Sequence, residues 1–290
     1  DMVTPYQHVT HFKIASDNNF ELGRGRMSVN IGYQQNQRRE LGDLLHPNTP
    51  SLHFDLQTIS YNFQYHLSET KGWLTSIGLT GMYQKNSNLA IETLIPQYRQ
   101  FDIGGFYYTK KSFNQQVTLS GGIRADYRNV VGDKLLEASV IRFNSLNRNF
   151  GNICGSIGIS YSASDAVTWK LNIARGFRAP SVSELASNGA HEGTDRYEFG
   201  NNNLKTEISL QADAGMEINK DHISFAISTF INQLQNYIFY SKLSAFRGGD
   251  SIIHLGGNDL TAYKYKQSAA ILVGLEAKLD IHPHPFDWLH

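Results

Sequence analysis

The chain has 290 residues, of which 18% are charged and 12% aromatic, and its 26 Lys and Arg balance 26 Asp and Glu to a formal charge of zero. Soluble domains carry about 25% charged residues, so charge is scarce here, yet the mean hydropathy is negative because Ser, Thr, Asn, Gln, Gly and Tyr fill the gap. Zero net charge gives no electrostatic reason to expect a nucleic-acid partner, and the aromatic content argues against disorder along the whole chain. Cys154 is the only cysteine, so no intrachain disulfide forms. No apolar run approaches the roughly 18 to 20 residues of a membrane-spanning helix; the longest, 269–275, is interrupted by Gly274 and followed by Glu276. The opening Asp1-Met2-Val3 carries no basic and apolar leader. Phe286-Asp287-Trp288-Leu289-His290 reads as a strand just beginning. Both ends are therefore expected to be cuts in a longer protein.

Taken in chain order, apolar residues recur at every second position, the period of a strand with one apolar face. Met27, Val29, Ile31 and Tyr33 come first, then Trp73, Thr75, Ile77, Leu79, Gly81 and Tyr83, then Val117, Leu119, Gly121, Ile123, Ala125 and Tyr127. Val167, Trp169, Leu171 and Ile173 follow. In 207–219 the pattern is clearest, with Ile208, Leu210, Ala212, Ala214, Met216 and Ile218 on one face and Glu207, Ser209, Gln211, Asp213, Gly215 and Glu217 on the other. Ile223 to Ile231 and Ala269 to Leu279 repeat it. No stretch of comparable length has a helical period, so roughly eleven strands of about 11 to 14 residues are expected, longer than the usual 5 to 6.

Their connections alternate in kind. Short polar turns at 68–72, 111–114, 162–165 and 219–221 are separated by long segments at roughly 37–51, 85–97, 129–151, 176–205 and 233–265. In an up-and-down antiparallel sheet such alternation puts every short turn at one end and every long loop at the other. Aromatic residues on the apolar face gather at both ends. Tyr33, Tyr83 and Tyr127, with Tyr6 nearby, lie toward the long loops, and Trp73, Tyr65, Tyr107, Tyr161 and Trp169 toward the short turns. Long strands, two aromatic girdles, an outward apolar face and a polar inward face predict a transmembrane β-barrel, whose closure satisfies every backbone polar group without water. A soluble sandwich would need neither matched strand lengths nor girdles. Eleven is odd where bacterial barrels are even, so the fold expected is all-β, a partial transmembrane antiparallel up-and-down barrel.

Arg175-Gly176-Phe177-Arg178-Ala179-Pro180-Ser181-Val182-Ser183-Glu184-Leu185 and, further on, Gly200-Asn201-Asn202-Asn203-Leu204-Lys205-Thr206-Glu207 form two boxes around a long loop. In sequence and in their strand, loop, strand placement these resemble the TonB-dependent outer-membrane receptors, with departures at Asn202 and Thr206, where that family often has Pro. The resemblance implies that 1–290 is a segment of a receptor barrel, about half of one with roughly 22 strands. It implies energy-coupled uptake of a scarce nutrient across a Gram-negative outer membrane, most of all an iron complex such as a siderophore or haem. It also implies a lumen-filling plug outside this chain, through which a TonB-type energy-transducing protein acts.

Between the boxes, His191, Glu192, Asp195, Arg196 and Tyr197 concentrate groups suited to a metal or polar ligand. Haem receptors of the family place an iron-ligating His in this loop, which makes His191 the metal candidate. Arg178 and Arg196 are the cations that would hold an anionic chelate. A polar loop bonded to itself is the competing reading of these residues. Arg124, Asp126 and Arg128, and likewise Asp213 and Glu217, are expected to point into the lumen. The remaining histidines show no convergent spacing. No nucleophile elbow, zinc-protease, phosphate-loop or dinucleotide motif is present, so no enzyme activity and no resident cofactor are expected. The partners expected are the bilayer, a small-molecule or metal-chelate substrate and the energy transducer, with no nucleic acid. A passive pore or an adhesion barrel is the alternative function.

Overall fold

The structure, a computed structural model, describes residues 6–42, 46–137, 139–191, 196–255 and 257–281. In chain order it contains β1 (Tyr6–Leu22), β2 (Gly25–Leu41), β3 (Leu52–His66), β4 (Trp73–Asn88), β5 (Tyr98–Phe113), β6 (Val117–Gly132), β7 (Leu135–Glu137) and β8 (Val140–Phe143). There follow β9 (Leu146–Ser162), β10 (Val167–Arg178), α1 (Val182–Ala186), β11 (Asn188–His191), β12 (Arg196–Phe199), β13 (Glu207–Lys220), β14 (Ile223–Lys242), β15 (Ile252–Leu255) and β16 (Asn258–Ile281). Eleven of these are long, and each long strand pairs antiparallel with the next in an up-and-down order. Among the described residues the sheet is open: β1 pairs only with β2 at one edge, while at the other β16 carries the short β12 and β15 on its upper part. Among the described residues no helix is long and apolar enough to cross a membrane.

Connections alternate short and long as the sequence predicts. Positive φ angles at Lys71 (52°), Asn114 (49°) and Gln115 (60°) fall in the short turns, where tight hairpins require left-handed backbone to match the strand twist. Strand length differs from expectation. The long strands run from 12 to 24 residues, and Tyr33, Tyr83 and Tyr127 lie well inside β2, β4 and β6 rather than at their ends. The reason is visible in β2, where pairing continues past Tyr33 through Gln37↔Thr10 and Arg39↔His8. Above the girdle both faces meet water, so the apolar alternation that reveals a strand disappears while the backbone ladder does not.

The outward face is apolar and uncovered: Leu171 is 57% exposed, Ile157 57%, Ile271 68% and Val273 71%. On β4, Trp73 and Tyr83 stand ten residues apart on this face; at ~3.3 Å per residue and a ~40° tilt that is about 25 Å of height, the apolar band of an outer-membrane barrel. Arg175 interrupts the outward register of β10, with its Nη1 donating to Asn152 Oδ1 at 2.7 Å and to the Ile153 carbonyl.

The inner face is a paired polar network. Arg124 donates to Thr80 Oγ1 at 2.7 Å and to the Asp126 carboxylate, and Arg128 forms a bidentate pair with Asp102 at 2.8 and 2.7 Å. Nearer the short turns, Asn172 donates to Asp213 at 3.1 Å and Lys170 to Glu217 at 2.6 Å. The expected lumenal charges thus share one face and are matched to partners along the wall.

Candidate functional site

The mouth at the long-loop end is built by the two boxes. β10 stops at Arg178 because Pro180 has no N–H for the ladder. Ser181 then caps α1 with a reciprocal capping box: the Glu184 N–H donates to Ser181 Oγ at 3.3 Å and the Ser181 N–H to Glu184 Oε2 at 2.8 Å. The short helix drives Val182 and Leu185 into a core with Val130, Leu146, Phe150 and Leu204; Leu185 is 2% exposed and Leu204 1%.

The second box closes over the helix. A Cβ at Gly200 would lie 2.4 Å from the Ala186 nitrogen and 2.6 Å from the Leu185 carbonyl carbon, so only glycine lets the chain pass there. Its N–H donates to the Ser187 carbonyl at 2.7 Å, and the Asn201 N–H to the Glu184 carbonyl at 2.8 Å. Arg148 donates to the Leu204 carbonyl at 2.8 Å and to Asn202 Oδ1 at 3.4 Å. Asn202, a departure from the family pattern, therefore supplies an acceptor that proline lacks.

Arg178 is committed within this scaffold. Its guanidinium donates to both Glu184 oxygens at 2.9 Å and to Glu207 Oε2 at 3.0 Å, while Glu207 Oε2 also accepts the Ile238 N–H at 2.9 Å. One arginine ties the end of β10, the helix and the start of β13 together.

Above the scaffold, β11 and β12 form a hairpin with Ala190 opposite Tyr197 and His191 opposite Arg196. It is held from one side by the β7–β8 hairpin: Arg142 Nη1 donates to the Tyr197 hydroxyl at 2.9 Å, and that hydroxyl donates to Asn188 Oδ1 at 3.0 Å. From the other side β12 pairs parallel with β16, Arg196 opposite Thr261. Tyr197 is 6% exposed, so of the expected ligand contacts it is a structural anchor.

Arg196 is placed differently. Its guanidinium lies 5.4 Å from the ring centroids of both Tyr240 and Tyr263, and Nη1 donates to the Tyr240 hydroxyl at 3.2 Å. That hydrogen bond raises the arginine's pKa above its ordinary value. The rings of Tyr240 and Tyr263 meet edge-on at 5.6 Å, and those of Tyr240 and Tyr265 at 6.2 Å. Tyr265 donates to Glu198 at 3.3 Å, and burial first, then the Glu198 charge, pushes its phenol well above the ordinary value. Arg196, Tyr240 and Tyr263 thus form a cationic, aromatic shelf beside the β11–β12 hairpin.

The backbone of His191 ends β11, and Glu192 and Asp195 lie outside the described residues. Among the described residues no group of three or more His, Cys, Asp or Glu is placed to hold a metal. Sequence reasoning missed Tyr240, Tyr263, Tyr265 and Arg142, because the first three sit in a stretch read as loop. The available signal was the aromatic spacing of Tyr237, Phe239 and Tyr240 against Tyr263 and Tyr265.

The arrangement has relatives. The family model described as "TonB dependent receptor-like, beta-barrel" matches residues 92–289. The ferric enterobactin receptor of Pseudomonas aeruginosa is 27% identical over 129 residues, covering 41% of this chain and 15% of that protein. Among solved structures, a haemophore receptor of Serratia marcescens, in complex with its haemophore and haem, superposes with a TM-score of 0.74 at 15% identity over 95% of this chain and 46% of its own. A copper transporter superposes at 0.69 with 14% identity, over 96% of this chain and 44% of its own. The chain thus spans less than half the length of the solved relatives, and its likeness to them, at such identity, is one of fold. Eleven antiparallel wall strands, the two boxes at the mouth and a family match across more than half of the sequence lead to one conclusion: this chain belongs to the β-barrel family of the TonB-dependent receptors.

Proposed function

We propose that the chain forms about half the wall and part of the extracellular mouth of an outer-membrane receptor for an iron complex. Uptake would be energised by a TonB-type protein acting through a plug domain. The observation that carries the ligand reading is the contrast between the two candidate arginines. Arg178 is neutralised by Glu184 and Glu207, whereas among the described residues Arg196 is engaged by tyrosines, at 5.4 Å from each of two rings. A guanidinium held over phenol rings keeps its charge and, apart from the Nη1 bond to Tyr240, its donors for a further partner. An anionic, planar chelate suits such a shelf. His191, opposite Arg196 in the hairpin register, is the residue through which haem would be bound instead, with iron ligated by imidazole.

The test is titration of the full-length receptor with a ferric catecholate, haem and cobalamin, followed by quenching of intrinsic fluorescence. The ferric chelate is expected to bind, and Arg196→Ala to weaken it about tenfold while Arg178→Ala acts through folding. If haem binds and His191→Ala abolishes it with Arg196→Ala silent, the haem reading replaces the chelate reading. Absence of binding by every iron compound, together with steady ohmic conductance in a planar bilayer, would establish the passive pore.

A further inference from the structure

On the outward wall, β13 carries two small residues at alternate positions, Ala212 and Ala214, beside larger residues on β10 and β14. In register, Ala212 lies between Ile173 of β10 and Ile231 of β14, and Ala214 between Leu171 and Thr229, with Leu275 beyond. Over Ala214 a groove of about 510 Å³ opens on the outer face and runs toward Met216, walled by Trp169 and Leu171 on one side and Leu275 on the other. It lies in the half of the band next to the short turns, beside the girdle residues Tyr161 and Trp169. It plays no part in the mouth or the lumen.

We propose that this groove holds one acyl chain of a phospholipid from the periplasmic leaflet, whose phosphate is met by Lys220. Three observations specify that occupant. The groove is continuous with the uncovered apolar band, where Leu171 is 57% exposed and Leu275 67%, so lipid already borders it. Lys220 stands on the same even-numbered face of β13, because pairing with β14 runs unbroken from Ile208 to Lys220. The distance also fits: the six residues from Ala214 to Lys220 span about 20 Å along the strand and about 15 Å of height at barrel tilt, the hydrocarbon depth of one leaflet. Short turns mark the periplasmic side of such barrels, which selects the leaflet. A cation just beyond a one-leaflet groove is the arrangement that a lipid phosphate completes. A second copy of the chain would need no cation there.

The proposal rests on the membrane setting and not on the ligand at the mouth. It is tested by native mass spectrometry on delipidated full-length receptor in detergent, titrated with dioleoyl phosphatidylglycerol. One saturable lipid adduct is expected on the wild type. Filling the floor with Ala214→Trp should cut its occupancy about tenfold, and Lys220→Gln, which leaves the groove intact, by a few-fold. Ferric-chelate binding in the same samples should be unchanged, which separates failure of this proposal from failure of the receptor reading. Equal adducts on wild type and Lys220→Gln would overturn it even if Ala214→Trp does not fold. So would a two-copy mass on the wild type that falls to one copy in either variant, since the groove would then be a self-association surface.

Discussion

Along a single strand, β6, the rules of burial reverse. Ile123, in the membrane band, is 57% exposed, and seven residues on Val130 is 0% exposed in the core of the mouth. The wall presents its apolar side chains to lipid and its polar ones to the lumen, so its integrity rests on backbone pairing and on the bilayer. Above the girdle the chain meets water and must bury apolar groups against itself, as Leu185 and Leu204 do at 2% and 1% exposure. One polypeptide therefore carries two structures with different sources of stability. The receptor's specificity would be set in the second, which the first holds still.

The largest effect should appear in the mouth. Leu185→Ala empties the centre of the α1 core and is expected to cost about 2 to 5 kcal/mol there. Hydrogen exchange should show amides of 179–206 opening while the heat-resistant gel mobility of the barrel is unchanged. Mouth and wall opening together would mean they are one cooperative unit and would break the comparison.

The wall should answer to charge instead. Ile157→Arg places a cation on the outward face, where Ile157 is 57% exposed, and should destabilise refolding in lipid by about 2 to 4 kcal/mol near mid-bilayer. Asn172→Arg, adjacent in register but on the inner face beside Asp213, should be close to neutral. Equal costs on both faces would contradict the assignment of inside and outside.

The smallest effect is alkaline. Tyr265 keeps its proton in the folded mouth to a higher pH than in the unfolded chain, owing to burial and to Glu198. Its contribution is complete below the unfolded value of about 10 and declines as pH rises beyond it. Protease sensitivity of 200–206 should therefore rise between pH 10 and 11 in the wild type and less in Tyr265→Phe. A late-titrating phenol, seen by tyrosinate absorbance, should vanish in that variant.

Both boxes were legible in the sequence, but their job was not. Arg178 reads as a ligand-seeking cation in a polar stretch, and only the folded mouth brings Glu184 and Glu207 onto it. Asn202 reads as a departure from a family pattern until Arg148 arrives from 54 residues away.

The sequence by itself determined roughly eleven wall strands, the apolar face of the seven that alternate clearly, and the alternation of short turns with long connections. These follow from a two-residue period and from turn chemistry, which act between near neighbours and are written in every few residues. Only the tertiary structure decided how far the strands rise above the membrane, because alternation fades once both faces are wet. It alone decided which arginine is spoken for, and that Tyr240 and Tyr263 come to lie under Arg196, 44 and 67 positions earlier in the chain. Such contacts depend on where sheet register and loop packing bring distant residues, and no local pattern encodes that.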